Sequence, residues 1–255
     1  MPSPRPDVDL AVIAPCLNER GNIAAFVERV EAALAGRPGG FELVLVDDGS
    51  TDGSWELMES LRAAHPDLRA IHHERTRGIT ASWAAGLAAT RAPLVVITDA
   101  DLQYRPEDIG ALLETRERNG ASIVQGWRRT QVDRGPFRYF FSRAFSVVLN
   151  RLFRMNLPDN KSGFLVAAHD DLARVVARGD GFRHFHNLIA VAAAHLGMTI
   201  EQIPIVFDRR FAGASFITHP LRYGLESLAD LPLAVKRFRR RDKTKDVSSD
   251  EGIDR

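Results

Sequence analysis

Pro93-Leu94-Val95-Val96-Ile97-Thr98-Asp99-Ala100-Asp101-Leu102-Gln103 begins as an unbroken apolar run and ends in two carboxylates one residue apart. A strand with one face in water alternates apolar and polar residues, whereas a strand covered on both faces is apolar throughout, as this one is. Three further runs share the pattern: Leu10 to Ala14, Phe41 to Val46 and Leu68 to His72. Between the first two, Ile23, Phe26, Val27, Val30 and Leu34 fall on one stripe of a helix. Ile109, Leu112 and Leu113 repeat that spacing after the fourth run, with Arg116 and Arg118 on the charged side. Strand, helix, strand in repetition predicts an α/β fold built on a mainly parallel sheet with helices on both faces. Ligands of such sheets bind at the carboxyl edge of the strands.

The loops at that edge carry the polar residues. Leu10–Ala14 runs into Pro15-Cys16-Leu17-Asn18-Glu19, and Phe41–Val46 runs into Asp47-Asp48-Gly49-Ser50-Thr51-Asp52-Gly53. The third is Asp99-Ala100-Asp101-Leu102-Gln103. Two carboxylates at i and i+2 of an extended segment can aim at one point, which suits Mg²⁺ or Mn²⁺ bridging a nucleotide diphosphate. The plain alternative is an Asx turn closing the strand. Asp48-x-Ser50-x-Asp52-Gly53, with Glu59 at the twelfth position, also approaches an EF-hand calcium loop. That motif needs a helix before it, and Phe41–Val46 is β-type. The reading preferred is a strand-to-helix turn in which Asp48 contacts a nucleobase or ribose and Asp52 caps the helix.

Beyond residue 120 the pattern changes. Ser122–Gln125 is a strand candidate followed by Gly126-Trp127-Arg128, and Phe137 to Phe153 is a helical stretch rich in Arg and Phe. A turn at Leu157-Pro158-Asp159-Asn160 precedes the apolar Gly163–Ala168; a helix from about His184 to Leu196 and a strand from Ile200 to Phe207 follow.

The chain has 255 residues, 34 Lys or Arg against 33 Asp or Glu, a net charge of +1 and 45% hydrophobic residues. This composition excludes a collagen, coiled-coil, disordered or disulfide-built protein. The charge balance argues against a general nucleic-acid binder. Cys16 is the single cysteine, so no internal disulfide and no cysteine cluster for zinc are available. No run reaches the ~18–20 apolar residues that span a bilayer. The expectation is a cytoplasmic protein, either free or peripheral on the cytoplasmic face of a membrane. Residues 1–9 are expected to be disordered, 10–218 to form the α/β domain, and 219–255 to be a partly helical basic tail. The tail's Lys236–Lys245 cluster and the stretch from Phe137 to Phe153 are the candidates for membrane contact, with a solvated tail and a core helix as their alternatives.

Taken together, the three edge loops resemble the family 2 glycosyltransferases of GT-A, Rossmann-like fold. Within that family the chain is similar to the dolichyl- and polyprenyl-phosphate sugar transferases, through Gly126-Trp127-Arg128, Arg138, Ser142-Arg143, Asp159, Gly163-Phe164, Gly181-Phe182-Arg183, Ile203-Pro204-Ile205, Arg210, Gly213 and Ser215. The resemblance spans roughly Leu10 to Ser215. It implies a metal-dependent, inverting transfer of a sugar from a GDP- or UDP-sugar to a polyprenyl phosphate. Pro15, Asn18, Glu19, Asp48, Gly78 and Asp99 would line the nucleotide pocket, and Asp99, Asp101 and Gln103 would hold Mg²⁺ or Mn²⁺. Arg128, Arg138 and Ser142 would face the acceptor phosphate, and Arg210 and Ser215 the donor diphosphate. Asp101, Arg128 and Arg138 would take part in catalysis.

Three positions depart from the pattern: Leu165 stands where a basic residue is usual, Gln202 where a glutamate is usual, and Phe216 where a lysine is usual. They weaken the implied contacts to the acceptor and donor phosphates and leave the nucleotide half intact. A lipid phosphate is already anionic and needs no general base, whereas a hydroxyl acceptor does. The pairs His72-His73 and His184–His186 are read as structural. His219 is read as able to approach the metal and Trp127 as stacking on a sugar or sitting in the core, and neither is assigned a role. The rival readings are a family 2 glycosyltransferase acting on a saccharide or small hydroxyl acceptor, and a non-catalytic nucleotide-sugar or calcium-binding module.

Overall fold

The computed structural model describes residues 8–131, 136–213 and 220–239, with the side chains of 130–131, 136–142 and 220–222 left aside. Seven strands form one sheet in the order β3-β2-β1-β4-β6-β5-β7. The strands are β1 (Leu10–Cys16), β2 (Phe41–Asp47), β3 (Leu68–His72), β4 (Leu94–Ile97), β5 (Ile123–Gln131), β6 (Leu165–Ala168) and β7 (Ile200–Phe207). The four apolar runs are β1 to β4, all parallel to their neighbours among themselves. β5 and β7 are also parallel, and only β6 runs against both of its neighbours. The sheet is therefore mainly parallel, as expected, with one reversed strand inserted between β4 and β5.

Alternation of side chains across β1 explains why every residue of it is apolar. Leu10, Val12 and Ala14 pack with Ile23, Phe26, Val27 and Val30 of α1 (Arg20–Leu34), Met58 of α2 (Ser54–Leu61) and Ile109 and Leu112 of α4 (Ile109–Asn119). Ala11 and Ile13 face the other layer. That layer contains Trp83 and Leu87 of α3 (Ile79–Ala89), Leu149 of α5 (Pro136–Phe153), Leu172 and Val175 of α6 (His169–Val176) and Ile189 of α7 (Ile189–His195). α3 lies close on the sheet because Gly86 carries no side chain: a Cβ there would stand 2.4 Å from Ile13 Cγ2.

The helix expected over His184–Leu196 is divided: a tight turn at Phe185–Leu188 leads into α7. Two short helices follow the β7 region, α8 (Pro220–Ala229) and α9 (Leu231–Phe238). They fall in the segment expected to be a basic tail. Ala234 and Phe238 of α9 are buried in the second layer of the core.

The parallel register places the ends of β1, β2 and β4 at one edge of the sheet. There the loops grip one another: Asn18 N–H donates to Ser50 Oγ (2.8 Å), Thr51 N–H to Asn18 Oδ1 (2.9 Å), and Asp48 N–H to the Cys16 carbonyl (2.8 Å). β7 contributes as well. The chain after it runs beside residues 101–104, with Asp208 N–H donating to the Gln103 carbonyl (2.9 Å) and Phe211 N–H to that of Asp101 (3.3 Å).

Candidate active site

Asp99 and Asp101 leave the end of β4 as the sequence predicts. Asp101 is buried; its Oδ1 accepts Gln103 N–H (3.0 Å) and its Oδ2 accepts Arg210 Nη1–H (3.0 Å). Arg210 also pairs through Nη2 with Glu19 Oε1, while Glu19 Oε2 accepts from Asn22 Nδ2 (2.5 Å). One guanidinium thus bridges the carboxylates at the ends of β1 and β4. Asp99 makes no side-chain hydrogen bond among the described residues. Burial first, and then the charge of Asp101, push its carboxyl up to about 7. Burial raises Asp101 and Glu19 as well, in spite of Arg210. Glu19 and Asp101 share Arg210, while Asp99 is acted on by both carboxylates and by Arg128 and Arg210.

This donor set suits a magnesium-like cation. Such ions take oxygen ligands, and a site commonly uses one or two carboxylates together with substrate phosphate oxygens. Among the described residues no group of three or more His, Cys, Asp and Glu is arranged to hold a metal, so Asp99 and Asp101 would need oxygens from a bound ligand to complete a shell. Gln103, expected as a third ligand, uses its Nε2 on the Asp208 carbonyl (3.2 Å).

The Asp48 loop is a strand-to-helix turn, since β2 precedes it and α2 follows. Asp52 caps: Oδ1 accepts Ser54 N–H (3.0 Å) and Oδ2 accepts Arg20 N–H (3.1 Å), so one side chain closes the starts of both α1 and α2. Asp48, expected to contact a base or ribose, has partners within the protein. It is buried and engaged within the protein, accepting Arg77 N–H (3.0 Å) and Gly78 N–H (2.8 Å), with His73 Nδ1 2.8 Å away. A carboxylate in an enclosed turn satisfies the nearest N–H groups first, and these belong to the 73–78 loop. Gly78, at φ +91°, is the residue from which α3 starts. Pro15 pairs with Val46 in the sheet. Burial pushes the Cys16 thiol up, which suits no nucleophilic role.

Arg128 was expected to face an acceptor phosphate. In the structure its Nε (2.6 Å) and Nη2 (2.9 Å) make a forked pair with Asp159, and its guanidinium lies over the Phe207 ring. Burial alone would raise the Asp159 carboxyl, but the Arg128 charge and hydrogen bonds bring it down to about 2. The reason is general: a buried guanidinium takes the nearest carboxylate, and the turn after α5 brings one to it. Gln202 fixes that turn. Its Nε2 donates to the Asp159 carbonyl (2.7 Å) and to Gln125 Oε1 (2.5 Å), and its Oε1 accepts Asp159 N–H (3.1 Å). A glutamate could not make the two donations, so this departure from the family pattern fits its surroundings here. Leu165, the second departure, is buried on β6 in the apolar core.

Arg138 and Ser142 lie on α5 with side chains outside the described residues, as Ser215, Phe216 and His219 lie outside them altogether. The sequence reading missed the Arg128–Asp159 pair, the Gln202 bridge and the buried Tyr104, whose hydroxyl accepts Gly163 N–H (3.1 Å). A signal existed for the first of these, because an arginine in an apolar strand demands a carboxylate.

The model for glycosyl transferase family 2 matches residues 11–171, from β1 through α6. The chain belongs to that family. Among relatives, a dodecaprenyl-phosphate galacturonate synthase of Rhizobium johnstonii is 32% identical over 159 residues, 61% of this chain and 46% of its own. A dolichol-phosphate mannosyltransferase of Pyrococcus furiosus is 28% identical over 212 residues, 81% of this chain and 58% of its own. The chain thus spans between 46% and 58% of the length of these relatives. Among solved structures, glucosyl-3-phosphoglycerate synthase from Mycobacterium tuberculosis, with Mn²⁺, UDP-glucose and phosphoglyceric acid, superposes with a TM-score of 0.67. It is 18% identical and the match covers 92% of this chain and 82% of that one. The fold of this family 2 member is therefore the GT-A fold.

Proposed function

We propose that the chain transfers a sugar, with inversion, from a GDP- or UDP-sugar to a polyprenyl or dolichyl phosphate, with Mg²⁺ or Mn²⁺. The observation that carries the proposal is that Arg210 bridges Glu19 and Asp101 at the carboxyl edge of the sheet, with the buried Asp99 acted on by both carboxylates. Asp99 and Asp101 would hold the cation, with Gln103 beside them. When bound, it neutralises charge on the departing diphosphate. Arg210 would turn one arm of its fork to the same phosphates, since a planar guanidinium binds their oxygens in pairs. Ser215 would add a further contact. Pro15, Asn18 and Glu19 would line the nucleotide pocket, and Asp48 would shape it by fixing Gly78 and the 73–78 loop.

The acceptor half rests on the polyprenyl-phosphate sugar transferases among the relatives and on acid–base chemistry. A phosphate acceptor attacks as an anion, from the face opposite the leaving group, and asks no proton removal of the protein. Arg128, held rigid by Asp159, would present positive potential to it, with Arg138 and Ser142 nearby on α5. A lipid acceptor also requires contact with a bilayer. Among the described residues no helix is long and apolar enough to cross one. Peripheral contact on the cytoplasmic face is supported by the exposure of Val147 and Val148 on α5 and of Leu225 and Leu228 on α8. The basic cluster from Lys236 would favour an anionic surface.

Asp99→Ala tests the catalytic reading. Loss of transfer with an unchanged unfolding transition is expected; a variant as active as the parent would exclude Asp99 from the chemistry. Transfer to hydroxyl acceptors but never to polyprenyl phosphate would replace the acceptor assignment.

A further inference from the structure

Two nitrogens of Arg128 are taken by Asp159, so a further donor on the acceptor side would strengthen the hold on a phosphate. One stands in a polar cluster at the junction of the 183–188 segment with α8 and α9. Arg183 N–H (3.2 Å) and His184 N–H (2.8 Å) donate to the Asp230 carboxylate, and His184 Nε2 lies 3.2 Å from Glu226. These bonds pin the segment. His186 Nε2 lies 2.5 Å from the Tyr223 hydroxyl, and Asn187 Nδ2 donates to the same hydroxyl (3.1 Å) and to Ser227 Oγ (3.2 Å). His186 Nδ1 is closed to solvent and has no partner among the described residues.

The hydrogen-bond distances favour one tautomer of the ring. Tyr223 oxygen accepts from Asn187 Nδ2, so its own proton goes to an acceptor. The choices are His186 Nε2 at 2.5 Å and Asn187 Oδ1 at 3.5 Å. The nearer takes it, and Tyr223 keeps that proton because burial raises its phenol. Burial first, then the charges of His184, Arg128 and Lys161, hold the imidazole at about 3, so the ring is neutral at pH 7. A neutral ring that accepts at Nε2 bears its hydrogen on Nδ1. The result is a buried N–H donor with nothing to receive it, a costly arrangement in a finished core and a reasonable one at a ligand site. Arg128, paired with Asp159, and Lys161, which stands over the Phe145 ring of α5, act on His186, while Glu226 and Asp230 are engaged by His184 and Arg183. The charges of Arg128 and Asp99, both groups of the site, act on Tyr223.

We infer that His186, oriented by Tyr223 and Asn187, donates its Nδ1–H to the phosphate of the acceptor. The inference rests on the polyprenyl-phosphate reading above. It makes His186 an acceptor-binding residue and Tyr223 the residue that positions it.

Protein labelled with ¹⁵N-histidine tests the idea without turnover, His186 being identified by its absence in His186→Leu. Long-range ¹H–¹⁵N spectra at pH 7 should show a neutral ring protonated at Nδ1. Farnesyl phosphate should move that nitrogen, whereas farnesol, UDP and GDP should not. A ring protonated at Nε2, or an Nδ1 unmoved by farnesyl phosphate, overturns the inference. In transfer assays His186→Leu should raise the KM for polyprenyl phosphate about ten- to a hundredfold, the loss of one hydrogen bond to a charged group. The KM for the nucleotide sugar should stay within about twofold, because the inferred contact is to the acceptor alone. His186→Asn, which keeps an N–H near Nδ1, should recover part of the loss. Equal acceptor KM in parent and His186→Leu refutes the role of His186 and leaves the phosphate acceptor standing. Absence of transfer to polyprenyl phosphate refutes the acceptor instead, and a farnesyl phosphate shift at Nδ1 would then still support an anion site.

Discussion

Asp159→Asn keeps the shape of the side chain that faces Arg128 and removes its charge. The two side chains are only 8% and 10% exposed, so water does little to screen the change. The Asp159 carboxyl falls from 3.8 to about 2 on folding. At about 1.4 kcal/mol per unit, that difference alone represents on the order of 2 kcal/mol of stability at pH 7. Breaking a buried pair from one side generally costs about 3–5 kcal/mol, since the remaining charge stays buried. A loss of about 2–5 kcal/mol is therefore expected in urea titrations followed by tryptophan fluorescence. The sign of the pH dependence follows from a depressed folded value: the contribution is present above about pH 4 and disappears as pH falls toward about 2. Parent and variant should converge over that interval. Arg128→Met combined with Asp159→Leu should lose less than Asp159→Asn alone, because no charge is then stranded. A gap below about 1 kcal/mol at pH 7, or one that persists at pH 2, would refute the claim that this pair holds the acceptor side rigid.

Other consequences are independent of that pair. Gln202→Glu restores the residue usual in the family yet should destabilise by roughly 1–3 kcal/mol, because Gln125 Oε1 and the Asp159 carbonyl lose their donor; urea unfolding at pH 7 reads it. Because Asp99 titrates at about 7, Mn²⁺ affinity in isothermal titrations should weaken up to about tenfold per pH unit below that, as protons compete for the ligand; a flat profile from pH 5 to 8 would contradict the assignment. Gly86→Ala places a Cβ against Ile13 and should cost about 1–3 kcal/mol, seen as a Tm lowered by about 2–4 °C per kcal/mol.

Much of the nucleotide half was legible because its signals are local. A continuous apolar run means a strand covered on both faces, and the polar residues that follow it must lie at the sheet edge; Leu10, Phe41 and Leu94 each begin such a strand. Direction was harder to read. Leu165–Ala168 is apolar whichever way it runs, so nothing local foretold that β6 would reverse between β4 and β5. The same holds for partners distant in sequence. Arg128 and Asp159, or Gln202 and Gln125, are joined by topology and not by spacing. Asp48 shows the limit within a motif: its position was foreseen, but the 73–78 loop it binds has no signature of its own. His186 was read as structural because its company was sought among metal ligands, whereas the structure gives it Tyr223 and Asn187.

The central claim is a divalent-metal-dependent transfer to a lipid phosphate at the Asp99–Asp101 corner. Its most direct test incubates the protein with UDP- and GDP-sugars, Mg²⁺ or Mn²⁺, and polyprenyl phosphate or its alcohol, and identifies the lipid product by mass spectrometry. The account predicts a glycosylated polyprenyl phosphate from one of the donors, abolished by chelation and by Asp99→Ala and absent with the alcohol. Product formed equally well with a chelator present, or on the alcohol alone, would contradict it.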